Sequence, residues 1–315
     1  MKILIELPSW LGDTVMATPA IENLAGYYDN PEITLLGSDI SVETLKNHPK
    51  VIKTQVFDKN YTSLFRMLKK LGKFDVFFSF RSSSRSRLLK LLISSINKYQ
   101  HDNKNKFQNR HQVEKYNDFV NKSLNTDFSA GRLNVVIGNL IESETISVEK
   151  DNLTLGFNPG ATYGDSKRWY PEEFVEVGAQ LSNKYNIIIF GSSNEKEIAA
   201  DIEKGLIEKG VTNYQNLAGN TSVKELIYHI STLDMFVTGD TGPMHLAATF
   251  QIPTVAIFGP TKVNATSQWM NDKSIIVKRN LECQPCMKRT CPLKHHNCMN
   301  LIKAKEVLDV IKSLN

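Results

Sequence analysis

Short runs rich in Ile, Val and Phe alternate along this chain with longer stretches whose apolar residues recur at helical spacing. KILIEL, EITLLG, IKTQVF and DVFFSF read as strands, with helices expected around residues 14–28, 62–72 and 84–95. A polar loop is expected at 98–112, then the helical stretch HQVEKYNDFVNKSL, after which the alternation starts again. The second series runs through NLTLGFNP, NIIIFG, NYQNLA, MFVTGD, TVAIFG and SIIVK, with helical segments between them and an amphipathic close, KAKEVLDVIKSLN. Strands separated by helices pair in parallel, because each crossover brings the chain back to the same end of the sheet. The fold class expected is therefore α/β, with two doubly wound, Rossmann-like domains over residues 1–150 and 151–315, parted in the polar stretch 143–152. The chain of 315 residues suits two domains of ordinary size. Its closing helix is left free to pack back on the first domain. Ligands of such sheets bind beyond the carboxyl ends of the strands, so the natural site of a two-domain chain is the cleft between them.

No apolar run approaches the ~18 residues of a membrane-spanning helix. The N-terminus, with one Lys, a short ILI, Glu6 and Pro8, is too short and too acidic for a signal peptide, and a cytoplasmic chain is expected. The formal charge is +5, and it is unevenly spread: between Arg81 and Lys122 ten Lys/Arg stand against three Asp/Glu. That stretch reads either as a solvated face or as a surface for an anion, such as a phosphorylated substrate or an acidic membrane leaflet. Nucleic acid is not expected, because the stretch lacks interleaved aromatics and a binding motif.

Strand ends carry the motifs. PSWLGDTVM, residues 8–16, has one glycine and one carboxylate where many α/β chains carry a glycine-rich phosphate loop. Capping alone would account for Asp13, since Asp is a favoured helix N-cap. In GDTGPMHLAA, residues 239–248, a strand ends in a turn and a helix begins near Pro243. The backbone N–H groups of Thr241 and Gly242 would then lie at a positive helix end suited to a phosphate. The plainer alternative, that Asp240 or Thr241 merely caps the helix, leaves Gly242 and His245 unexplained. FNPGATYGDSKRWYPEEF, residues 157–174, is a turn-rich loop whose small residues admit a ligand, and it bears Lys167 and Arg168. A mobile, cation-bearing loop there suits a diphosphate, while KRW also reads as a surface turn with Trp169 packed inward. No GKS, GKT, GxGxxG or GxSxG is present, which argues against classical ATPases, dinucleotide dehydrogenases and α/β-hydrolases. All four cysteines, Cys283, Cys286, Cys291 and Cys298, lie within one stretch holding His295 and His296. The spacing leaves two readings open: a structural zinc, or small buried thiols.

In this order, PSWLGDTVMATPAIENL, NPGATYGDSKRWYPEEF, LAGNTSVKELI, GDTGPMHLAATFQIPTVAIFGPT and CQPCMKRTCPLKHHNCM resemble glycosyltransferase family 9, the ADP-heptose:lipopolysaccharide heptosyltransferases, across most of the chain. The resemblance implies a GT-B fold, with the acceptor bound mainly by the first Rossmann-like domain and the nucleotide sugar by the second. It implies an inverting transfer of L-glycero-D-manno-heptose from ADP-heptose to the first heptose of the inner core, on a lipid A–Kdo–heptose acceptor. Transfer of the first or a later core heptose is the alternative within the family, and a non-catalytic nucleotide-sugar- or metal-binding scaffold the alternative outside it. At the matching positions it makes Asp13 the catalytic base, in a turn that Gly12 keeps tight and open. One base suffices for a single displacement, whereas a retaining hydrolase needs two close carboxylates.

On the donor side the resemblance makes Thr162, Lys167, Thr241 and Gly242 the diphosphate contacts. Lys167 would neutralise the departing ADP, the work a divalent metal does in other transferases, so no cofactor is implied for catalysis. Asp240 would hold sugar hydroxyls and His245 would support the phosphate loop. Glu195 matches the ribose-binding acid, and Asn220 and Thr221 lie where adenine is expected. The chain departs from the family in having GDTGPMH where NDSGPMH is commoner, and Tyr163 at a variable position. The implied acceptor gives the basic stretch a partner, with Arg81, Arg85 and Lys90 picked as acceptor contacts beside an anionic inner-membrane surface. A monomer is expected, since no long apolar face is left unassigned.

Overall fold

The computed structural model describes residues 1–57, 61–102, 109–138 and 152–314, with the backbone alone for 61–65. The chain divides into two compact units, Met1–Gly138 and Asn139–Asn315. The stretch expected to part the domains, 143–152, lies outside the described residues except for Asn152.

In the first unit β1 (Lys2–Glu6) leads through α1 (Leu11–Met16) and α2 (Thr18–Tyr27) to β2 (Glu32–Gly37) and α3 (Asp39–Leu45). Then come β3 (Val51–Val56), α4 (Tyr61–Leu71), β4 (Phe74–Ser79), α5 (Ser84–Leu92), β5 (Ser95–Gln100) and α6 (Gln112–Leu124). The five strands are all parallel, in the order β3-β2-β1-β4-β5. The order reverses between β1 and β4, so the crevice that takes ligands in such sheets lies beyond Glu6 and Ser79. The central strands are covered on both faces and therefore read as continuous apolar runs.

Two local features differ from the sequence expectation. The single helix expected over 14–28 is two, because Pro19 has no N–H to give to the Val15 carbonyl; the Thr18 hydroxyl takes that carbonyl instead, at 2.7 Å. Residues 98–100, expected in a polar loop, belong to the edge strand β5, whose ladder to β4 runs from Phe74↔Ser95 to Ser79↔Gln100. An edge strand needs little apolar surface, and SINKYQ has no alternation that would reveal it.

The second unit contains β6 (Leu153–Asn158), α7 (Pro171–Leu181), β7 (Tyr185–Ile189), α8 (Lys196–Glu208), β8 (Tyr214–Asn216), α9 (Val223–Ser231) and β9 (Met235–Gly239). It continues with α10 (Gly242–Thr249), β10 (Thr254–Phe258), α11 (Val263–Thr266), β11 (Ser274–Lys278), α12 (Asn297–Asn300) and α13 (Ala304–Leu314). Its sheet is parallel in the order β11-β10-β9-β6-β7-β8, which reverses between β6 and β9. The core holds Phe157, Phe174, Val237 and Val255, and Val307, Leu308 and Ile311 of the closing helix are part of it. Trp169 is buried in this core, edge-on to Phe174 with ring centres 4.9 Å apart, and its indole N–H donates to the Ile302 carbonyl at 2.9 Å. The KRW segment is thus a turn anchored by its aromatic ring. Among the described residues no helix is long and apolar enough to cross a membrane.

Candidate active site

In the first unit Asp13 occupies the first turn of α1. The capping position is Trp10, which makes no side-chain capping bond, so capping does not account for Asp13. Gly12 is a helical residue of α1 and lacks a positive φ, so the tight turn expected of it is absent and its place is within the helix. The loop before α1 is fixed from α3: the Ser41 hydroxyl donates to the Pro8 carbonyl at 2.5 Å and the Ser38 hydroxyl to the Ser9 carbonyl at 3.1 Å. Tyr116 of α6, buried, donates its hydroxyl to Asp13 Oδ1 at 3.4 Å. Burial, and secondly the charge of Asp13, hold the Tyr116 phenol well above its usual range, so at neutral pH it keeps its proton and donates. Sequence reasoning missed Tyr116, since an aromatic at helical spacing reads as core.

At the reversal point of the same sheet a second carboxylate, Glu6, is 1 % exposed at the end of β1. It accepts from the Ser79 hydroxyl at 2.5 Å and the Ser86 hydroxyl at 2.8 Å, and Arg81 Nε lies 3.9 Å from it. Burial raises the Glu6 carboxyl above its ordinary value, against the lowering effect of the two hydroxyls and of Arg81 and Arg85. The two guanidinium groups lie over one ring, Phe57, at 6.0 and 4.9 Å from its centre. Of the three basic residues picked from the sequence, the structure therefore gathers Arg81 and Arg85. Lys90 stands in the last turn of α5, about 7.5 Å further along the helix axis than Arg85. The signal for Glu6 was a lone acid in the apolar run KILIEL.

In the second unit the ends of β6 and β9 converge. Lys167 Nζ lies 2.6 Å from Asp240 Oδ2 and 2.9 Å from the Asp240 carbonyl, and the Thr261 hydroxyl donates to the same Oδ2 at 2.6 Å. Side-chain exposures of 12 % and 5 % make this a buried pair, in which loss of one partner strands the other's charge. Thr241 occupies the capping position of α10 but its side chain caps nothing. Its hydroxyl accepts instead from Asn158 Nδ2 at 3.2 Å and shares a hydrogen bond with Thr238 at 3.2 Å. The capping alternative for Thr241 therefore fails: no side chain caps the first turn of α10, which opens with Gly242 and Pro243. His245 is buried one turn further along, and Thr162 is exposed in the loop after β6. Thr261 and Thr238 were not foreseen as members of the site, and Asn158 was foreseen only as a strand end, because only the folded chain brings these three side chains together.

The loop bearing Lys167 was expected to be mobile, but it is tied down. The Ser166 hydroxyl donates to the Lys288 carbonyl at 2.6 Å, its N–H to the Arg289 carbonyl at 3.1 Å, and the Tyr163 hydroxyl to the Met287 carbonyl at 2.8 Å. His296 Nε2 donates to the Ser166 carbonyl at 2.8 Å, while its Nδ1 accepts from the Tyr170 hydroxyl at 3.1 Å. A Cβ at Gly164 would run into the Arg289 carbonyl. The Tyr163 ring lies below Lys167 Nζ at 4.9 Å and the Arg289 guanidinium at 5.5 Å. The cysteine-bearing stretch thus acts as a frame for the Lys167 loop. Cys298 alone among the four thiols is buried, and the others are half-buried. Burial, and then the other three cysteines, push the Cys298 thiol up to about 11, which keeps it protonated. Among the described residues no three Cys, His, Asp or Glu side chains stand grouped as a metal site.

Toward the other end of this sheet Glu195 is buried, its Oε2 accepting from the Ser192 N–H at 2.7 Å. A Cβ at Gly160 would run into the Glu195 carboxyl group, so the loop after β6 and the turn after β7 touch through a glycine. The Gly219 N–H donates to the Gly191 carbonyl at 2.8 Å, which brings the loop carrying exposed Asn220 and half-buried Thr221 to the same strand end.

A model of glycosyltransferase family 9 (heptosyltransferase) matches residues 70–297. The chain is 38 % identical to lipooligosaccharide heptosyltransferase 2 of Campylobacter jejuni, over the whole of this chain and 98 % of that protein. It is 25 % identical to the lipooligosaccharide heptosyltransferase 2 of Haemophilus influenzae over 88 % of each. In fold it resembles the Escherichia coli ADP-heptose lps heptosyltransferase II, with a TM-score of 0.82 at 21 % identity, over all of this chain and 98 % of that one. It also resembles E. coli heptosyltransferase WaaC with ADP, with a TM-score of 0.77 at 16 % identity over the full length of both.

Proposed function

The chain belongs to glycosyltransferase family 9, the heptosyltransferases, and from that membership we propose that it transfers L-glycero-D-manno-heptose from ADP-heptose to the first heptose of a lipopolysaccharide-type inner core. The observation that carries this reading is the buried Lys167–Asp240 pair at the reversal point of the second sheet, beside the uncapped start of α10. The donor's diphosphate takes the N–H groups at Thr241 and Gly242 and the charge of Lys167, with Thr162 at its margin and His245 behind the turn. Asp240, held by Lys167 and Thr261, receives the sugar hydroxyls. Glu195 binds the ribose, and Asn220 and Thr221 flank the adenine.

In the reaction the acceptor oxygen forms a bond to the anomeric carbon as the bond from that carbon to the β-phosphate oxygen breaks. ADP leaves with the bonding pair, and Asp13 takes the hydroxyl proton while Tyr116 fixes its other oxygen. Inversion follows from this single displacement. The charge that grows on the leaving diphosphate meets Lys167 and the α10 N–H groups, so the chemistry needs no metal. The acceptor is lipid-borne, and the protein meets it as a monomer at an anionic membrane surface.

The test is ADP release from the purified chain with ADP-heptose, in EDTA, on core acceptors carrying one heptose or none. Turnover on the one-heptose acceptor alone is expected. Turnover on the heptose-free acceptor alone would move the chain to the first heptose, and silence on both would leave a binding scaffold.

Gly160→Ala tests the ribose end. The added Cβ displaces the Glu195 carboxylate from the Ser192 N–H, which costs about 1–3 kcal/mol. Thermal unfolding with and without ADP is expected to show a less stable protein that ADP stabilises less than it does wild type. An undiminished ADP shift would separate Glu195 from the nucleotide.

A further inference from the structure

The charge of Lys167 is already met within the second unit. Two of its three N–H groups go to Asp240, at 2.6 Å from Oδ2 and 2.9 Å from the carbonyl, and the buried pair carries no net charge. A diphosphate that gains negative charge as it leaves is stabilised further by a cation with no carboxylate of its own. Arg289 is such a cation. It is exposed, and among the described residues no carboxylate pairs with it. Its guanidinium lies 5.5 Å from the centre of the Tyr163 ring, and Lys167 Nζ lies 4.9 Å from the same centre. The backbone beneath it is fixed from the Lys167 loop. Three consecutive carbonyls, those of Met287, Lys288 and Arg289, accept from the Tyr163 hydroxyl at 2.8 Å, the Ser166 hydroxyl at 2.6 Å and the Ser166 N–H at 3.1 Å. Gly164 lets the two segments approach this closely, since a Cβ there would run into the Arg289 carbonyl. One ring thus gathers two cations, which repel each other. An anion that meets both turns the repulsion into attraction, and a guanidinium fork takes two oxygens of one phosphate.

We infer that Arg289 is a second cation of the donor site, seated with Lys167 on the Tyr163 ring, and that it takes the β-phosphate of the nucleotide sugar. The inference rests on the donor reading above and adds two residues to it: Arg289 as a phosphate contact, and Tyr163 as a positioning residue that acts through both cations. Asp240, the partner of Lys167, is the acid read as holding the sugar, so cations beside it meet the phosphate next to the sugar. That phosphate gains the negative charge when the bond to the anomeric carbon breaks. Arg289 therefore holds departing ADP more strongly than bound ADP-heptose, and it lowers the barrier as well as aiding binding.

The experiment is calorimetric titration of the full chain with ADP and with AMP, which differ in the β-phosphate alone. Arg289→Met, which keeps the apolar stem, is expected to weaken ADP about tenfold, the effect of one charged hydrogen bond, and to leave AMP within about twofold. Thermal unfolding without nucleotide is expected to match wild type, because only an exposed side chain has changed. Arg289→Lys, which keeps the charge without the fork, is expected to recover part of the ADP affinity. Tyr163→Leu removes the ring and is expected to give the same split between ADP and AMP, whereas Tyr163→Phe keeps the ring and is expected to stay near wild type. Should Tyr163→Leu unfold the chain, Arg289→Met carries the test. Equal weakening of ADP and AMP by Arg289→Met, or weakening of neither, would overturn the inference. Wild-type ADP affinity in a folded Tyr163→Leu would overturn the seat on the ring. If wild type binds neither nucleotide, the donor reading itself fails and the inference falls with it.

Discussion

Asp13→Asn is expected to lower kcat at least about 10³-fold, near the upper part of the range for loss of a positioned general base, with donor binding unchanged. The substitution is close to isosteric. An amide oxygen still accepts from the Tyr116 hydroxyl, which lies 3.4 Å from Oδ1, so the packing of α1 against α6 is kept. What is lost is the site that takes the acceptor's proton as its oxygen bonds to the sugar. The measurements are ADP release under saturating substrates and calorimetric titration of ADP. Retention of a tenth or more of wild-type kcat would place the base elsewhere. A parallel loss of ADP binding would mean that the variant had damaged the fold instead of the chemistry.

Lys167→Ala is expected to lower kcat by about 10²–10³-fold, the usual cost of removing one preorganised donor to developing negative charge. It is also expected to destabilise the second unit by about 3–5 kcal/mol, because Asp240 would remain buried without its cation. The two effects separate in the double variant Lys167→Met with Asp240→Asn. Removing both charges restores much of the stability, since no buried charge is then left without its partner. It does not restore the cation at the leaving diphosphate. Thermal unfolding alongside ADP-release kinetics reads both. Recovery of kcat together with stability would show that Lys167 acts only through the fold.

The candidate site was legible where one local stretch carries a whole chemical idea. In GDTGPMH, a glycine, a proline and a polar residue follow a buried strand, and the helix start they specify is present at Gly242. Lys167 was legible for the same reason, since small residues and a cation follow a strand end. The expectation of a mobile loop failed because its restraints come from Met287, Lys288, Arg289 and His296, far along the chain. The cysteine stretch left a structural zinc and small buried thiols open in sequence, and only the fold shows that the same stretch braces the Lys167 loop. Glu6 looked like an interruption in an apolar strand, and only pairing of β1 with β4 supplies the Ser79 hydroxyl beside it. Lys90 was chosen with Arg81 and Arg85 from charge density, which carries no direction.

The sequence by itself determined the α/β class, the two series of strands, the helix that opens at Gly242 and the family, because these rest on short-range periodicity and on motifs a few residues long. Tertiary structure alone decided that Thr241 serves Asn158 and Thr238 instead of capping, that Asp240 is shared by Lys167 and Thr261, and that Tyr116 holds Asp13. Each of those bonds joins side chains on different elements. Parallel pairing sets the ends of β6, β9 and β10 side by side and α1 packs on α6, and no local pattern encodes which element will neighbour which.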